Sequence, residues 1–479
     1  MEHARVKGFQ TFYTHYKNAF KFAQKVVVVA GGGNNGGDAL VMAREAYLEG
    51  FTNISLLLLG SHISQSCALH RTICEGLAFD QHTVKFDEQG AIDQKSESIL
   101  LSAHLIIDGY LGTGLRGSLQ PSAKTMIEVM NRCHEKGSFI LSVDVPSGCS
   151  DSISVNQHQV LCDVCITFGL KKGAMYHPVR RKSWKKLFTI NPSFPLHLLR
   201  DAPQSALLAS LDDIHIPKIE ETSYKNARGH IALFGGSETF SGAPHLTSKA
   251  AFHSGSGLVS LFCDESVALT FKQEQPSLIV HSLTHGEIVR AKELVDKYDV
   301  IAVGPGWSDN REEQMLELVK SKIPLVCDAD GIRTFANLVH SHRLSATDHG
   351  PMILTPHPGE IQKMLEILSM PLLSQEIGML GTSESFIESL QKFARLYHVV
   401  LVYKSHVVWI FDGTVEDSIK SLQKPFHSAV HYIVAGTLQQ LDFTLLKRLL
   451  LQSVARRCNV ISEGKTFISF HFELNKIES

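Results

Sequence analysis

The sequence predicts two successive α/β domains, each built on a mainly parallel sheet, and three observations carry that expectation. Val26 to Ala30 is an apolar run that breaks into Gly31, Gly32 and Gly33 and then into a helical pattern. The same grammar, an apolar run ending in a carboxylate or a glycine turn, recurs at Leu105–Ile107 before Asp108 and at Phe139–Val143 before Asp144. It restarts at Ile231–Phe234 after Asp201 to Lys225, a polar stretch without glycine. A chain of 479 residues also exceeds what one core normally serves.

In the first half, residues 1 to 24 read as a polar helix anchored by Phe9, Phe12, Tyr13, Tyr16, Phe20 and Phe22. After the glycine turn, a helix is expected from Ala39 to about Leu48, with Gly50 ending it. Ile54–Leu59 is a second buried strand, and Ser64–Gly76 is helical. Helix 124–135 separates the strands that end at Asp108 and Asp144, and Cys165–Phe168 adds another strand before Gly169, Lys171, Lys172 and Gly173. The rest of this domain, to about Leu199, is basic and Pro-containing (His177–Lys186) and reads as edge strand and surface.

In the second half, residues 201–225 read as linker with a peripheral strand. Helix His245–Ser254 then follows Gly235, Gly236 and Ser241–Ala243. Further strands are expected at Val300–Val303 before Gly304 and Gly306, Pro324–Val326 before Asp328 and Asp330, and Met352–Leu354 before His357 and Glu360. Two more are expected at Val399–Val402 before Lys404, and at Val407–Phe411.

Composition narrows the function. Hydrophobic residues make up 44% and charged residues 20%, with a formal net charge of -2 and a pI near 6.9. That balance argues against a nucleic-acid partner held by bulk charge. No run of 18 apolar residues suggests a membrane span, and the first residues lack the apolar core of a secretory signal. Nine scattered cysteines suit a reducing, cytoplasmic setting, and the lone pair Cys162 and Cys165 reads as packing thiols.

Ligands of parallel sheets sit beyond the C-terminal strand ends. Asn35, Asp108, Asp144 and Ser147 are therefore expected to converge, although Asp108 alone could be a turn cap. A strand, a Gly-rich turn and a helix N-terminus make a cradle for an anionic cofactor. Gly31 to Gly37 does not keep the usual GxGxxG dinucleotide spacing. In the second half His357, between two prolines at a strand end, is well placed for a ligand. Lys404 could pair a phosphate or cap a sheet edge.

The motifs GGGNNGGDALVMAR, IIDGYLGTGLRG, LSVDVPSG and ITFGLKKG together resemble the NAD(P)H-hydrate epimerase domain, of Rossmann-like fold, over Met1 to about Leu199. The stretches GHIALFGGSETFSGAPHLTSKAAFHSGSGLVS, VGPG, CDADG, ILTPHPGEI and LVYK resemble the ADP-dependent NAD(P)H-hydrate dehydratase domain, of ribokinase-like fold, over about Tyr224 to Gln440. The resemblance implies an epimerase domain over 1–205 (short at its N-terminus), a linker over 206–224 and a dehydratase-like domain over 225–479. It implies repair of nicotinamide cofactors hydrated at C6. The R and S hydrates would be interconverted, and the S hydrate dehydrated with ADP as phosphoryl donor, giving AMP and phosphate.

Residue by residue, the resemblance implies that Asn34, Asn35, Gly36, Gly37 and Asp38 hold the hydrated dinucleotide. Gly112, Thr113, Gly114, Leu115, Arg116, Gly117, Ser118 and Asp144 would complete that site, and Asn35, Asp108 and Ser147 would surround a potassium ion. Asp144 is the expected acid or base, with Asp38 as competitor. Ala243, Gly306 and His357 match substrate positions of the second domain, and Lys404, Ser405, His406, Val407 and Val408 match an AMP-contacting strand and turn. K+, Mg2+ and ADP are the implied cofactors, hydrated NADH or NADPH the substrate, and a homo-oligomer the expected assembly.

The chain departs from this pattern in three places. Arg5 stands where the family usually has glycine, and the chain begins inside that N-terminal motif. Ser405 replaces a glycine after Lys404. Ala429 to Gly436 replaces a glycine-rich turn, with Tyr432 at the position of the catalytic aspartate; a local misalignment, with His431 or His427 substituting, is the alternative. A tyrosine, with an ordinary pKa of about 10, is a poor base at neutral pH. A weakened or inactive dehydratase is therefore expected. The alternative for the whole chain is a catalytically weak dinucleotide-binding or scaffold protein. A sugar or vitamin kinase would need the same missing loop.

Overall fold

The computed structural model describes residues 2–77, 79–155, 157–201, 206–209, 224–284, 286–413 and 467–470. The chain divides into two compact units, one of Met1–Gln204 with Gly378–Phe386, the other of Ser205–Ile377 with Ile387–Ser479.

The first unit is a seven-stranded sheet of order β3-β2-β1-β4-β5-β6-β7. Its strands are β1 (Val26–Ala30), β2 (Ile54–Leu58), β3 (Asp80–Thr83), β4 (Leu105–Gly109), β5 (Phe139–Val143), β6 (Cys162–Phe168) and β7 (Trp184–Ile190). Every pair is parallel. The helices are α1 (Glu2–Tyr16), α2 (Asn34–Leu48), α3 (Gln65–Glu75), α4 (Gln94–Leu101), α5 (Pro121–Glu135) and α6 (Leu196–Asp201). This is the Rossmann-like, doubly wound arrangement, and its strand order reverses between β1 and β4, the position at which such sheets generally bind their ligands. All five residues of β1 are buried, as a strand covered on both faces requires.

The expected helix start at Ala39 is corrected: α2 begins at Asn34 and takes in Asn34–Asp38 as its first turn. Two glycines weaken a helix start by propensity alone. Packing reverses that here, because a Cβ on Gly36 would lie 1.9 Å from the Gly31 carbonyl oxygen, so only glycine lets α2 close onto the turn. The reading of His177–Lys186 holds for the edge strand, which is β7, and is corrected for the surface. His177 and Arg180 are buried, and Arg180 donates to the carbonyls of Ser150, Ile153 and Ser154, so it ties down a loop instead of facing solvent. Cys162 and Cys165 are buried free thiols, as expected.

The second unit is a ten-stranded sheet of order β11-β10-β9-β12-β13-β14-β15-β16-β17-β8. Its strands are β8 (Leu207–Ala209), β9 (His230–Phe234), β10 (Leu258–Asp264), β11 (Ile279–Leu283), β12 (Val300–Val303), β13 (Leu325–Cys327), β14 (Met352–Leu354), β15 (Val400–Tyr403), β16 (Val408–Asp412) and β17 (Phe467–Phe470). Pairing is parallel from β11 to β15, and antiparallel at β15–β16 and β16–β17. Its helices are α7 (Gly242–His253), α8 (Glu265–Glu274), α9 (Ala291–Leu294), α10 (Glu312–Lys320), α11 (Ala329–His340), α12 (Pro358–Ile367), α13 (Pro371–Ile377) and α14 (Ser383–Leu396), the last shared between the units. This is the ribokinase-like α/β domain. Its strand order also reverses beside the first strand of the parallel set, between β9 and β12. Among the described residues no helix is long and apolar enough to cross a membrane.

Candidate functional site

In the first unit the polar residues gather beyond the ends of β1, β4 and β5. Asp108 sits near the end of β4 and is fully buried. Its Oδ1 accepts from the Ser147 hydroxyl at 2.5 Å, and its Oδ2 accepts from the Ser142 hydroxyl at 2.8 Å and the Ser147 N–H at 2.9 Å. Burial pushes its pKa up, and the Ser147, Ser142 and Tyr110 donors pull against that. The Ser147 hydroxyl accepts from the Leu111 N–H, and Asn35 Nδ2 donates to the Leu111 carbonyl at 3.1 Å. Asn35, Asp108 and Ser147 thus meet around Leu111. Asn35 Oδ1 is buried there without a hydrogen-bond partner.

Asp144 follows β5 at φ 64, a left-handed conformation that a residue with a Cβ adopts at a cost. Its Oδ1 pairs with Lys172 and accepts from the Phe168 N–H at 3.2 Å and the Thr167 hydroxyl at 3.3 Å. The Lys172 ammonium also donates to Thr167 Oγ1 and the Phe168 carbonyl. Asp38, in the first turn of α2, is held by Arg5 of α1, with Nη2 at 2.7 Å from Oδ2 and Nε at 2.6 Å from Oδ1. Burial raises the Asp38 pKa; Arg5 opposes the rise and Asp144 adds to it, so the two carboxylates feel one another.

Two features leave groups available to a ligand. The N-cap of α2 is Gly33 with no side-chain cap, so the first N–H groups of the helix have no side chain bonded at the cap. The loop Gly112–Ser118 has Thr113, Gly114, Arg116, Gly117 and Ser118 exposed. Arg116 reaches Ser152, and Ser150 Oγ donates to the Leu115 carbonyl, which pins the loop.

In the second unit Lys404, at the end of β15, is buried and pairs with Asp328 Oδ1 at 2.6 Å. Glu360 lies within reach of both charges; burial raises its pKa and Lys404 opposes the rise. His357 caps α12: its Nδ1 accepts from the Gly359 and Glu360 N–H groups, and its own N–H donates to Glu360 Oε2 at 2.8 Å. An Nδ1 that accepts leaves the proton on Nε2 in the neutral ring. His357 and Glu360 line a cavity of about 280 Å³ with Ala329, Asp330, Arg333 and Lys363.

Gly306 has φ 62, and a Cβ there would meet the Phe240 carbonyl oxygen at 2.3 Å. Ala243 lies exposed in the first turn of α7. Ser405 Oγ donates to the Val407 carbonyl and closes a turn at exposed His406. Val407 and Val408 are buried, so their side chains are core. Ala429–Gly436, with His427, His431 and Tyr432, lies outside the described residues. Among the described residues no three His, Cys, Asp or Glu side chains form a metal cluster.

Reading strand ends located Asp108, Asp144 and Ser147 but missed their partners. Ser142 and Thr167 carry no local signal, and Lys172, Asp328 and Arg5, which the sequence does mark, give no sign of which carboxylate or cation each one meets, because the pairs form only across the sheet or between helices.

Two family models match: "YjeF-related protein N-terminus" over residues 1–174 and "NAD(P)H-hydrate dehydratase" over residues 231–425. A bifunctional NAD(P)H-hydrate repair enzyme of Moorella thermoacetica is 27% identical over 65% of this chain and 58% of its own length. One of Coxiella burnetii is 27% identical over 72% of this chain and 67% of its own. The chain therefore spans about three fifths to two thirds of these relatives. A solved ribokinase-like superfamily protein from Enterococcus faecalis is 18% identical, covers 54% of this chain and 96% of its own, and has a TM-score of 0.37.

Proposed function

We propose that this chain, a two-domain protein pairing a YjeF-type N-terminal half with an NAD(P)H-hydrate dehydratase-type half, repairs hydrated nicotinamide dinucleotides, chiefly by epimerising the R and S hydrates in its first domain. The observation that carries the reading is the strained Asp144, bonded by Lys172, beside the Asn35–Asp108–Ser147 group at the switch point of the first sheet. Epimerisation at C6 needs reversible loss of the hydroxyl, or ring opening, with proton transfers. Asp144 is the proton-transferring group, because it ends a strand at the crevice. Asp38 is a poorer candidate, since Arg5 engages both of its oxygens. The uncapped start of α2 would receive the pyrophosphate, with Arg116 and the Gly112–Ser118 loop opposite.

Potassium fits the residues present. Asn35 Oδ1 is buried and lacks a partner, and the Ser147 hydroxyl, the Asp108 carboxylate and the Leu111 carbonyl are hard oxygen donors. Asn35, Asp108 and Ser147 would hold the ion, which supplies a fixed positive charge beside the anionic substrate. If so, K+ raises the melting temperature of the chain more than Na+ does, and Asn35→Ala abolishes the difference.

For the second domain we infer weak ADP-dependent dehydration, on the strength of Tyr432 in the sequence. Lys404, held by Asp328, would face the nucleotide phosphates. The described residues offer Mg2+ no carboxylate cluster of its own, so the ion would enter on the ADP phosphates. The deciding experiment follows purified R and S hydrates of NADH and NADPH by NMR, with K+ and with or without ADP and Mg2+. Interconversion that Asp144→Asn lowers by about 10²–10⁴ supports the reading. Binding of hydrate without interconversion supports the scaffold alternative, and a robust ADP-driven rate overturns the inference drawn from Tyr432.

A further inference from the structure

Arg5 is one of the three departures from the resembled pattern, and the fold brings it beside Asp38 in the first turn of α2. Helix α1 packs on α2 and β6 at Gly8, where a Cβ would lie 3.1 Å from Ile166, 3.2 Å from Met42 and 3.3 Å from Phe168. One turn earlier, Arg5 reaches Asp38 side-on through Nε and Nη2, and its guanidinium carbon lies 4.6 Å from the centroid of the Phe168 ring. The Phe168 N–H is one of the groups holding Asp144. Glu2 pairs with Arg44 and clamps the same end of α1 to α2. Both partners are largely shielded, the Arg5 side chain 13% exposed and that of Asp38 6%.

The cradle therefore carries two carboxylates, each with its own cation, Lys172 on Asp144 and Arg5 on Asp38. Two carboxylates facing one site repel each other and repel an anionic ligand unless each is compensated. A planar guanidinium that is both forked and stacked fixes orientation as well as charge, which a lysine does less well.

We propose that Arg5 is a positioning residue of the dinucleotide site, holding Asp38 compensated and in one orientation so that the cradle accepts a pyrophosphate-bearing ligand. The proposal rests on the hydrate-repair reading above. Helix α1 is then part of the binding wall.

The test uses the full chain and the NADPH hydrates, with calorimetric titration for binding and NMR for turnover. Arg5→Gly and Arg5→Lys are made alone, and Arg5→Gly is also made on Asp38→Asn; melting temperatures check folding. The expected result is a dissociation constant and KM raised about tenfold by Arg5→Gly, with kcat changed far less and part of the loss recovered in Arg5→Lys. On Asp38→Asn, Arg5→Gly should add nothing, because the charge it compensates is gone. Unchanged binding in a folded Arg5→Gly protein, or losses that multiply in the double variant, overturn the proposal while leaving the repair reading intact. A wild-type chain that neither binds nor converts the hydrates overturns both.

Discussion

Replacing Asp108 by alanine tests the centre of the first site through stability, without recourse to substrate. The carboxylate is fully buried and accepts from the Ser142 hydroxyl, the Ser147 N–H and the Ser147 hydroxyl at 2.5–2.9 Å. In Asp108→Ala the Ser147 hydroxyl can turn to the Leu111 carbonyl, now 3.3 Å away, and the half-buried Tyr110 N–H gives up a long 3.3 Å bond, but the Ser142 hydroxyl and the Ser147 N–H are buried donors that lose their acceptor. A buried donor left unsatisfied costs about 1–3 kcal/mol, so two cost roughly 2–6 kcal/mol. Removing a buried, desolvated carboxylate gives part of that back, as its raised pKa indicates. The net expectation is a loss of about 2–4 kcal/mol. At about 2–4 °C per kcal/mol for a domain of this size, the first unit should melt roughly 5–15 °C lower. Asp108→Asn keeps one acceptor oxygen for Ser142 and the Ser147 N–H and should lose about half as much. Scanning calorimetry of the full chain measures both. An Asp108→Ala transition within about 2 °C of wild type would refute the reasoning, because two orphaned buried donors cannot be that cheap.

Three other outcomes follow from the same geometry. Lys404→Met should destabilise the second unit by about 3–5 kcal/mol by leaving Asp328 buried and uncompensated, and adding Asp328→Asn should restore most of it; denaturant titration of both variants beside the unaltered chain reads this. Gly36→Ala should prevent α2 from closing on Gly31 and cost more than the ~1 kcal/mol gained in helix propensity, seen as a large fall in melting temperature. His177 is buried beside Phe386, with Arg180 near, and its pKa is pushed down from 6.5 to about 3, chiefly by burial. The unfolded chain therefore takes up this proton first. The contribution of His177 is fully present above pH 6.5 and is lost at up to ~1.4 kcal/mol per unit as pH falls from 6.5 towards 3. His177→Gln should flatten that window in urea titrations at stepped pH; a slope equal to wild type would exclude His177 as its source.

Much of the fold was legible because a buried parallel strand and the turn that ends it are local features. Runs such as Val26–Ala30 and Phe139–Val143 carry their own strand signal, and the glycines and carboxylates behind them mark C-terminal strand ends. The short polar strand β3 and the helix α4 escaped, since Asp80–Thr83 has no apolar period and takes its place only by pairing with β2. The start of α2 was misjudged because propensity argues against Asn-Asn-Gly-Gly as a helix, and only the close approach to Gly31 makes glycine a requirement there.

By itself, then, the amino-acid order determined two parallel-sheet domains, the residues at their strand ends, and the kind of chemistry that an amide, a carboxylate and a hydroxyl beside a glycine turn can support. Which of those residues act was decided in three dimensions. Arg5 meets Asp38 across 33 residues, Lys172 meets Asp144 across 28, and Lys404 meets Asp328 across 76. His357 spends its Nδ1 on capping a helix, a commitment visible only once α12 has formed. The physical reason is that strand and turn signals are set by neighbours in sequence, whereas the charge and availability of a buried side chain are set by whatever the fold packs against it.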